Sequence, residues 1–262
     1  MKHTLLCFSG TGNSYYVAKN LADALGDANL VMIPKLVPGE KIELTEAVGL
    51  IFPTHFLLPP TIVAEFIQER FSQLDLTPVQ YLYLVTTKNL SSGWTSAITE
   101  ILLRNQGIAL SYASSVRFPN TYIPLFTAPD LLQIEFYYKR ANKKIAKIVQ
   151  DLRRETIRPP VRPPFTRYMI EQRMEERFEK TKISAHDSFV VTNACDGCEL
   201  CYRICPTANI TMVDEKPTFG VECTFCLACY HRCPKEAIAF NRRVSSGYYP
   251  NHEAQFNEEY RK

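Results

Sequence analysis

Over its first 155 residues the chain alternates short apolar runs with stretches of helical spacing. Residues 4–8 read TLLCF, and comparable runs follow at Asn29–Ile33, Ala47–Phe52, Tyr81–Thr86 and Ile108–Phe118. Unbroken apolar runs of this length predict strands buried on both faces. Between the first two, Val17, Leu21, Ala24 and Leu25 recur at helical spacing and stop at Gly26, a residue suited to a left-handed C-cap. Further helices are predicted at about 60–73, 92–106 and 129–155. The last carries Ile134, Tyr138, Ala141, Ile145, Ile148 and Leu152 as one stripe that packs on a sheet. The connection at 34–46 holds Pro34, Pro38 and Gly39 and is too short for a full covering helix. Strand and helix in alternation predict an α/β fold, a doubly wound parallel sheet with helices on both faces.

The pattern changes at about residue 156. Pro159–Pro160 and Pro163–Pro164 favour a stiff, extended segment. A helix at about 167–180 follows, charged on most faces, with Met169, Ile170, Met174 and Phe178 for packing. Residues 188–240 are short, cysteine-rich and mixed in pattern, and 241–262 carry no motif, a strap or a frayed tail. The organisation expected is 1–155, a connector at 156–187, a small domain at 188–240 and a tail at 241–262.

Net charge is only +3, yet residues 129–186 hold 14 basic against 8 acidic side chains. That middle is either a solvated connector or a basic docking surface for an acidic partner protein. Nothing in it points to nucleic acid. No run approaches the ~18 apolar residues of a membrane span, and the start lacks the features of a signal peptide. The expectation is a cytosolic protein in a compartment that keeps thiols reduced.

That compartment bears on the cysteines, eight of whose nine lie between 195 and 233. They form one phrase written twice, C-x2-C-x2-C-x3-C-P, first Cys195, Cys198, Cys201, Cys205 and Pro206, then Cys223, Cys226, Cys229, Cys233 and Pro234. Tyr202 and Tyr230, and Ile210 and Ile238, repeat at the same offset, which marks an internal duplication. Three cysteines at this spacing take three corners of a cubane, and the fourth ligates the other cluster. The predicted sets are therefore Cys195, Cys198, Cys201 and Cys233 for one [4Fe–4S] cluster, and Cys223, Cys226, Cys229 and Cys205 for the second. Structural zinc and disulfides are the competing readings. Zinc needs neither the third cysteine of each phrase nor the repeated Cys-Pro. Residues 188 to about 240 resemble the bacterial two-cluster ferredoxins.

The first strand is followed by Ser9-Gly10-Thr11-Gly12-Asn13-Ser14 and then a helix. Strand, glycine-bearing loop and helix N-terminus together make an anion site. The loop lacks the Gly-Lys-Ser/Thr of a P-loop, and Tyr15 stands where a dinucleotide fingerprint needs its third glycine. Hydroxyls, an amide and backbone N–H groups remain. This S-x-T-G-N-S resembles the FMN phosphate loop of flavodoxins. The resemblance, over residues 3–155, implies a five-stranded sheet of order 2-1-3-4-5. It also implies a phosphate held by Ser9, Thr11, Asn13 and Ser14, with Gly10 and Gly12 letting the backbone close in. The flavin ring would lie between Pro53-Thr54-His55-Phe56 and Thr86-Thr87-Lys88-Asn89, with Trp94 and Tyr122 as further candidate neighbours. Cys7 reads as small core filler, and His3, His186, His231 and His252 show no partner pattern.

Nearly the whole chain resembles the flavodoxin–ferredoxin fusion proteins of anaerobic bacteria and archaea. That implies electron transfer among two [4Fe–4S] clusters, FMN and redox partner proteins such as a ferredoxin, a flavodoxin or a reductase. The chain is then an electron carrier or an FMN-dependent oxidoreductase. The alternative from a different class is a redox-sensing or interaction module that keeps the flavodoxin fold for docking.

Overall fold

The computed structural model describes residues 1–35, 42–123, 126–161, 188–240 and 247–249. The connector helix expected at 167–180, the second Pro-Pro pair and most of 241–262 lie outside the described residues.

Five strands form the larger sheet: β1 (His3–Cys7), β2 (Ala28–Met32), β3 (Ala47–Pro53), β4 (Tyr81–Lys88) and β5 (Tyr112–Arg117). Their order is β2-β1-β3-β4-β5, and every pairing is parallel. Successive side chains leave opposite faces. Leu5, Cys7, Tyr83 and Val85 pack with α1 (Asn13–Leu25) and α4 (Leu131–Arg153). Leu6, Phe8, Leu50 and Leu84 pack with α2 (Thr61–Glu65) and α3 (Thr95–Arg104). Both faces are covered along β1, β3 and β4, so these strands read as unbroken apolar runs, whereas the edge strands β2 and β5 are only partly buried. The α4 stripe buries Tyr138, Ala141, Ile145, Ile148 and Leu152, each large member contributing ~1.5–3 kcal/mol. Asp130 caps this helix by accepting from the Gln133 N–H at 2.7 Å.

Two elements differ from expectation for physical reasons. The helix expected at 60–73 is α2, then one wide π-turn at Phe66–Arg70 and a 3-10 turn at Phe71–Gln73. Phe66 and Phe71 are five residues apart, which on an α-helix would send them to different faces. The wide turn buries both against the sheet. β5 starts four residues later than the apolar run, because the Ile108 N–H closes on the Leu103 carbonyl and the Leu110 N–H donates to Glu100 Oε2. Those donors are spent before the ladder begins.

The second unit pairs β6 (Phe189–Val191) with β9 (Ile238–Phe240), and β7 (Ile210–Val213) with β8 (Lys216–Phe219), both antiparallel. Two short helices, α5 (Leu200–Arg203) and α6 (Ala228–His231), each follow a left-handed residue, Glu199 or Leu227. This unit is packed on the first. Ile204 and Ala228 enter the core that holds α1 and α4, and Ile123 of the first unit enters the core of the second. Among the described residues no helix is long and apolar enough to cross a membrane.

Candidate cofactor site

A cavity of about 520 Å³ opens beyond the carboxyl ends of β1, β3 and β4. Twelve of the fourteen predicted positions line it: Ser9, Gly10, Thr11, Asn13 and Ser14, then Pro53, Thr54, His55 and Phe56, then Thr87, Lys88 and Asn89. Gly12 does not line it. It occupies the N-cap of α1 at φ 98°, a left-handed value, and brings no side chain onto the first N–H groups of the helix. Thr86 is the other exception. The period-two alternation of β4 turns it to the face opposite Thr87, where it is fully buried. The loops are fastened together: Ser14 Oγ lies 2.7 Å from Thr87 Oγ1, and the Thr54 N–H donates to the Thr87 carbonyl at 2.8 Å.

The loop after β3 is a tight turn. His55 and Leu58 exchange two backbone hydrogen bonds, and the residues between them, Phe56 and Leu57, both have positive φ, 50° and 69°. Neither is a residue that favours such a conformation, which costs ~1–3 kcal/mol each. The turn is held from outside by the Trp94 N–H, which donates to the Leu57 carbonyl, while Gly93 has no room for a side chain beside Leu57. Phe56 points at a small aromatic cluster, its ring centroid 5.1 Å from Tyr122 and 6.1 Å from Phe225. Tyr122 lines the cavity; Trp94 does not. His55 keeps part of its surface exposed, yet its Nδ1 is shut off from solvent with no hydrogen-bond partner. Burial pushes its pKa down to about 4.

Phe118–Tyr122, after β5, add a further wall, and the second unit closes one side with Phe225, Cys226 and Leu227. Sequence reasoning missed this. A side chain at Gly10 would collide with the Cys226 carbonyl oxygen, so the loop's first glycine serves the contact between units. Thr61 and Thr224 hydroxyls meet at 2.7 Å, and His231 Nε2 lies 2.8 Å from the Thr121 carbonyl.

The eight clustered cysteines fall into two neighbourhoods. Burial raises the Cys201 thiol to about 11, helped by the charges of Cys233, Cys198 and Cys195. Burial likewise raises Cys229 strongly, helped by the charges of Cys226, Cys223 and Cys205 and, least, of Cys201. The last cysteine of each phrase thus sits with the other phrase's first three. Cys205 Sγ accepts from the Asn209 N–H and Cys233 Sγ from the Ala237 N–H, both at 3.3 Å. N–H donors favour thiolate, while burial and mutual repulsion oppose it, a combination that a strongly cationic centre resolves. Such a donor set fits iron–sulfur clusters. The two neighbourhoods differ in placement, for Cys226 lines the cavity while Cys198 is exposed. Cys7 is fully buried in the sheet core.

Residues 194–238 match the family model of a 4Fe-4S dicluster domain. A search of curated proteins gives no significant match. Among solved structures, a flavodoxin from the domain Archaea is 15% identical, covers 57% of this chain and 99% of its own, and has a TM-score of 0.36. Megasphaera elsdenii flavodoxin is 16% identical over 44% of this chain and 85% of its own, at a TM-score of 0.33. An FMN-dependent NADH-azoreductase from Bacillus anthracis is 11% identical over 58% and 99%, at 0.40. Likeness of this degree carries no functional argument, and the fold stands on the strand order itself. The chain joins a flavodoxin-like α/β unit to a 4Fe-4S dicluster unit, an arrangement of the electron-transfer class.

Proposed function

We propose that the chain is an electron-transfer protein that holds FMN in the cavity and two [4Fe–4S] clusters on the crossed cysteine sets. The observation that carries this reading is Cys226, a ligand candidate that lines the same cavity as Ser9–Ser14. Fixing a dicluster unit against a flavin site makes transfer intramolecular, at high effective concentration. FMN supplies chemistry that can proceed by one or two electrons, and so links single-electron partners to a two-electron acceptor.

The chain's residues then have separable tasks. Ser9, Thr11, Asn13 and Ser14, with the α1 N-terminus, bind the phosphate without a cationic side chain. The turn at His55–Leu58 and the segment Thr87–Asn89 flank the ring. Phe225, Cys226 and Leu227 close the cavity on the side of Cys223, Cys226, Cys229 and Cys205, and exclude water there. The set holding the exposed Cys198 faces outward and is the entry point for a redox partner protein.

Anaerobic purification followed by counting of iron, sulfide and flavin tests the reading, with about eight iron, about eight sulfide and one FMN per chain expected. Rapid mixing with a one-electron reductant tests the coupling. Cluster and flavin bands should respond at a rate independent of protein concentration. Coupling that appears only as concentration rises would rule out an intramolecular relay.

A further inference from the structure

The segment Gly247–Tyr249 lies across both units. The Tyr249 N–H donates to His231 Nδ1 at 3.0 Å, and His231, on α6 between Cys229 and Cys233, turns its Nε2 to the Thr121 carbonyl. Since Nδ1 accepts, Nε2 carries the proton and donates. At its other end Tyr249 places its hydroxyl 3.2 Å from Asn13 Oδ1 and 3.4 Å from the Tyr138 hydroxyl. Tyr249 is 3% exposed. Tyr248 stacks on Tyr230 with ring centroids 4.6 Å apart and donates to the Glu236 carbonyl at 2.9 Å. Hydrogen bonds thus run from the phosphate loop through Tyr249 to the second cysteine phrase and back to the cavity wall at Thr121.

We infer that Tyr249 is a positioning residue of the phosphate subsite, and that it couples phosphate binding to docking of the dicluster unit. The inference rests on the FMN reading above. A phosphate only accepts hydrogen bonds, so the Asn13 side chain can help bind it only through its NH2. An amide turned the other way would set an oxygen against the anion. The Tyr249 hydroxyl, donating to Oδ1, holds the amide in the useful orientation before the ligand arrives, which lowers the ordering cost of binding. A phenylalanine would fill the same space, so the hydroxyl beside a buried asparagine is more than packing requires. The strap is anchored through His231, and the orientation of Asn13 therefore depends on whether the second unit is docked.

The test uses the full chain, purified anaerobically with its clusters and freed of flavin, titrated with FMN and with riboflavin. Tyr249→Phe should weaken FMN about fivefold, the loss of roughly one hydrogen bond, and change riboflavin less than about twofold. Gly247→Val is the second variant. Its backbone is left-handed, at φ 83°, and a Cβ there would lie 2.8 Å from the Ala128 Cβ, so the strap shifts with Asn13 untouched. It should weaken FMN selectively as well. Hydrogen exchange supplies a readout apart from affinity: FMN, but not riboflavin, should slow exchange of the Tyr249 amide. Unchanged FMN affinity in both variants, or equal losses for FMN and riboflavin, would overturn the inference. Wild-type protein that binds neither flavin would remove the FMN reading together with it.

Discussion

The carbonyl oxygen of Cys226 stands where a side chain on Gly10 would go. A glycine in the loop after β1 and a cysteine of the second four-cysteine phrase are therefore one contact, although they are far apart in sequence. Each constrains the other's substitution.

Gly10→Ala should act on the contact between units. Overpacking of this kind costs ~1–3 kcal/mol. Denaturant unfolding of the cluster-loaded protein should show the loss, with faster hydrogen exchange in residues 223–227. An unfolding midpoint and exchange pattern equal to wild type would mean that the loop yields without cost.

The crossed cysteine sets make paired predictions. Cys205→Ala should leave the same residual cluster spectrum as Cys223→Ala, and Cys233→Ala the same as Cys195→Ala. Each should lose about four iron. Electron paramagnetic resonance of the reduced proteins checks it, and pairing by phrase instead of across phrases would refute the ligand assignment.

Gly12→Val and Asn13→Asp attack the phosphate loop in different ways. A β-branched residue cannot easily hold φ 98°, and a carboxylate sets like charge against the phosphate. Both should weaken FMN by about tenfold or more, since charge-assisted bonds contribute ~1.5–3 kcal/mol each, and weaken riboflavin far less. Fluorescence titration gives both affinities.

His55 should make stability depend on pH. Its pKa falls from 6.5 to about 4 in the folded protein because burial disfavours the charged ring. The unfolded chain then takes up a proton that the folded one refuses. Its contribution is complete above about pH 6.5 and is lost as pH falls toward 4, by up to about 3 kcal/mol. Between pH 7 and 5.5 the loss is about 1 kcal/mol. Unfolding free energies from denaturant titration should fall by that amount more for wild type than for His55→Asn between those two pH values, whereas parallel behaviour would mean His55 does not titrate this way.

The sheet was legible because strands buried on both faces have no polar alternation to confuse them, and the runs at β1, β3 and β4 lie within a residue or two of their observed starts. The Ser9–Ser14 loop and the four-cysteine phrases could be singled out because each is a local pattern. Local patterns end there. Thr86 departs from the expectation because adjacent residues of a strand face opposite sides, which a contiguous motif does not take into account. Phe225 and Leu227 gave no signal as cavity walls, and His231 and Tyr249 had no sequence partner, because their contacts exist only once two distant units dock. The π-turn was readable in principle from two inward phenylalanines five residues apart.

The two cysteine phrases have identical spacing and opposite surroundings, and the residues between the cysteines preserve a record of it. At matched positions Glu199 and Leu227 share the same left-handed backbone, φ 60° and 58°, yet one is a charge in water and the other is 4% exposed. Tyr202 is 48% exposed, whereas its counterpart Tyr230 is 1%. The repeated phrase is the same in spacing, and docking of one copy against the first unit makes the two inequivalent. At these positions the outward copy is hydrophilic or exposed and the inward copy is apolar and buried. Aligning a chain's own repeats against each other can thus tell inside from outside, with no second protein to compare.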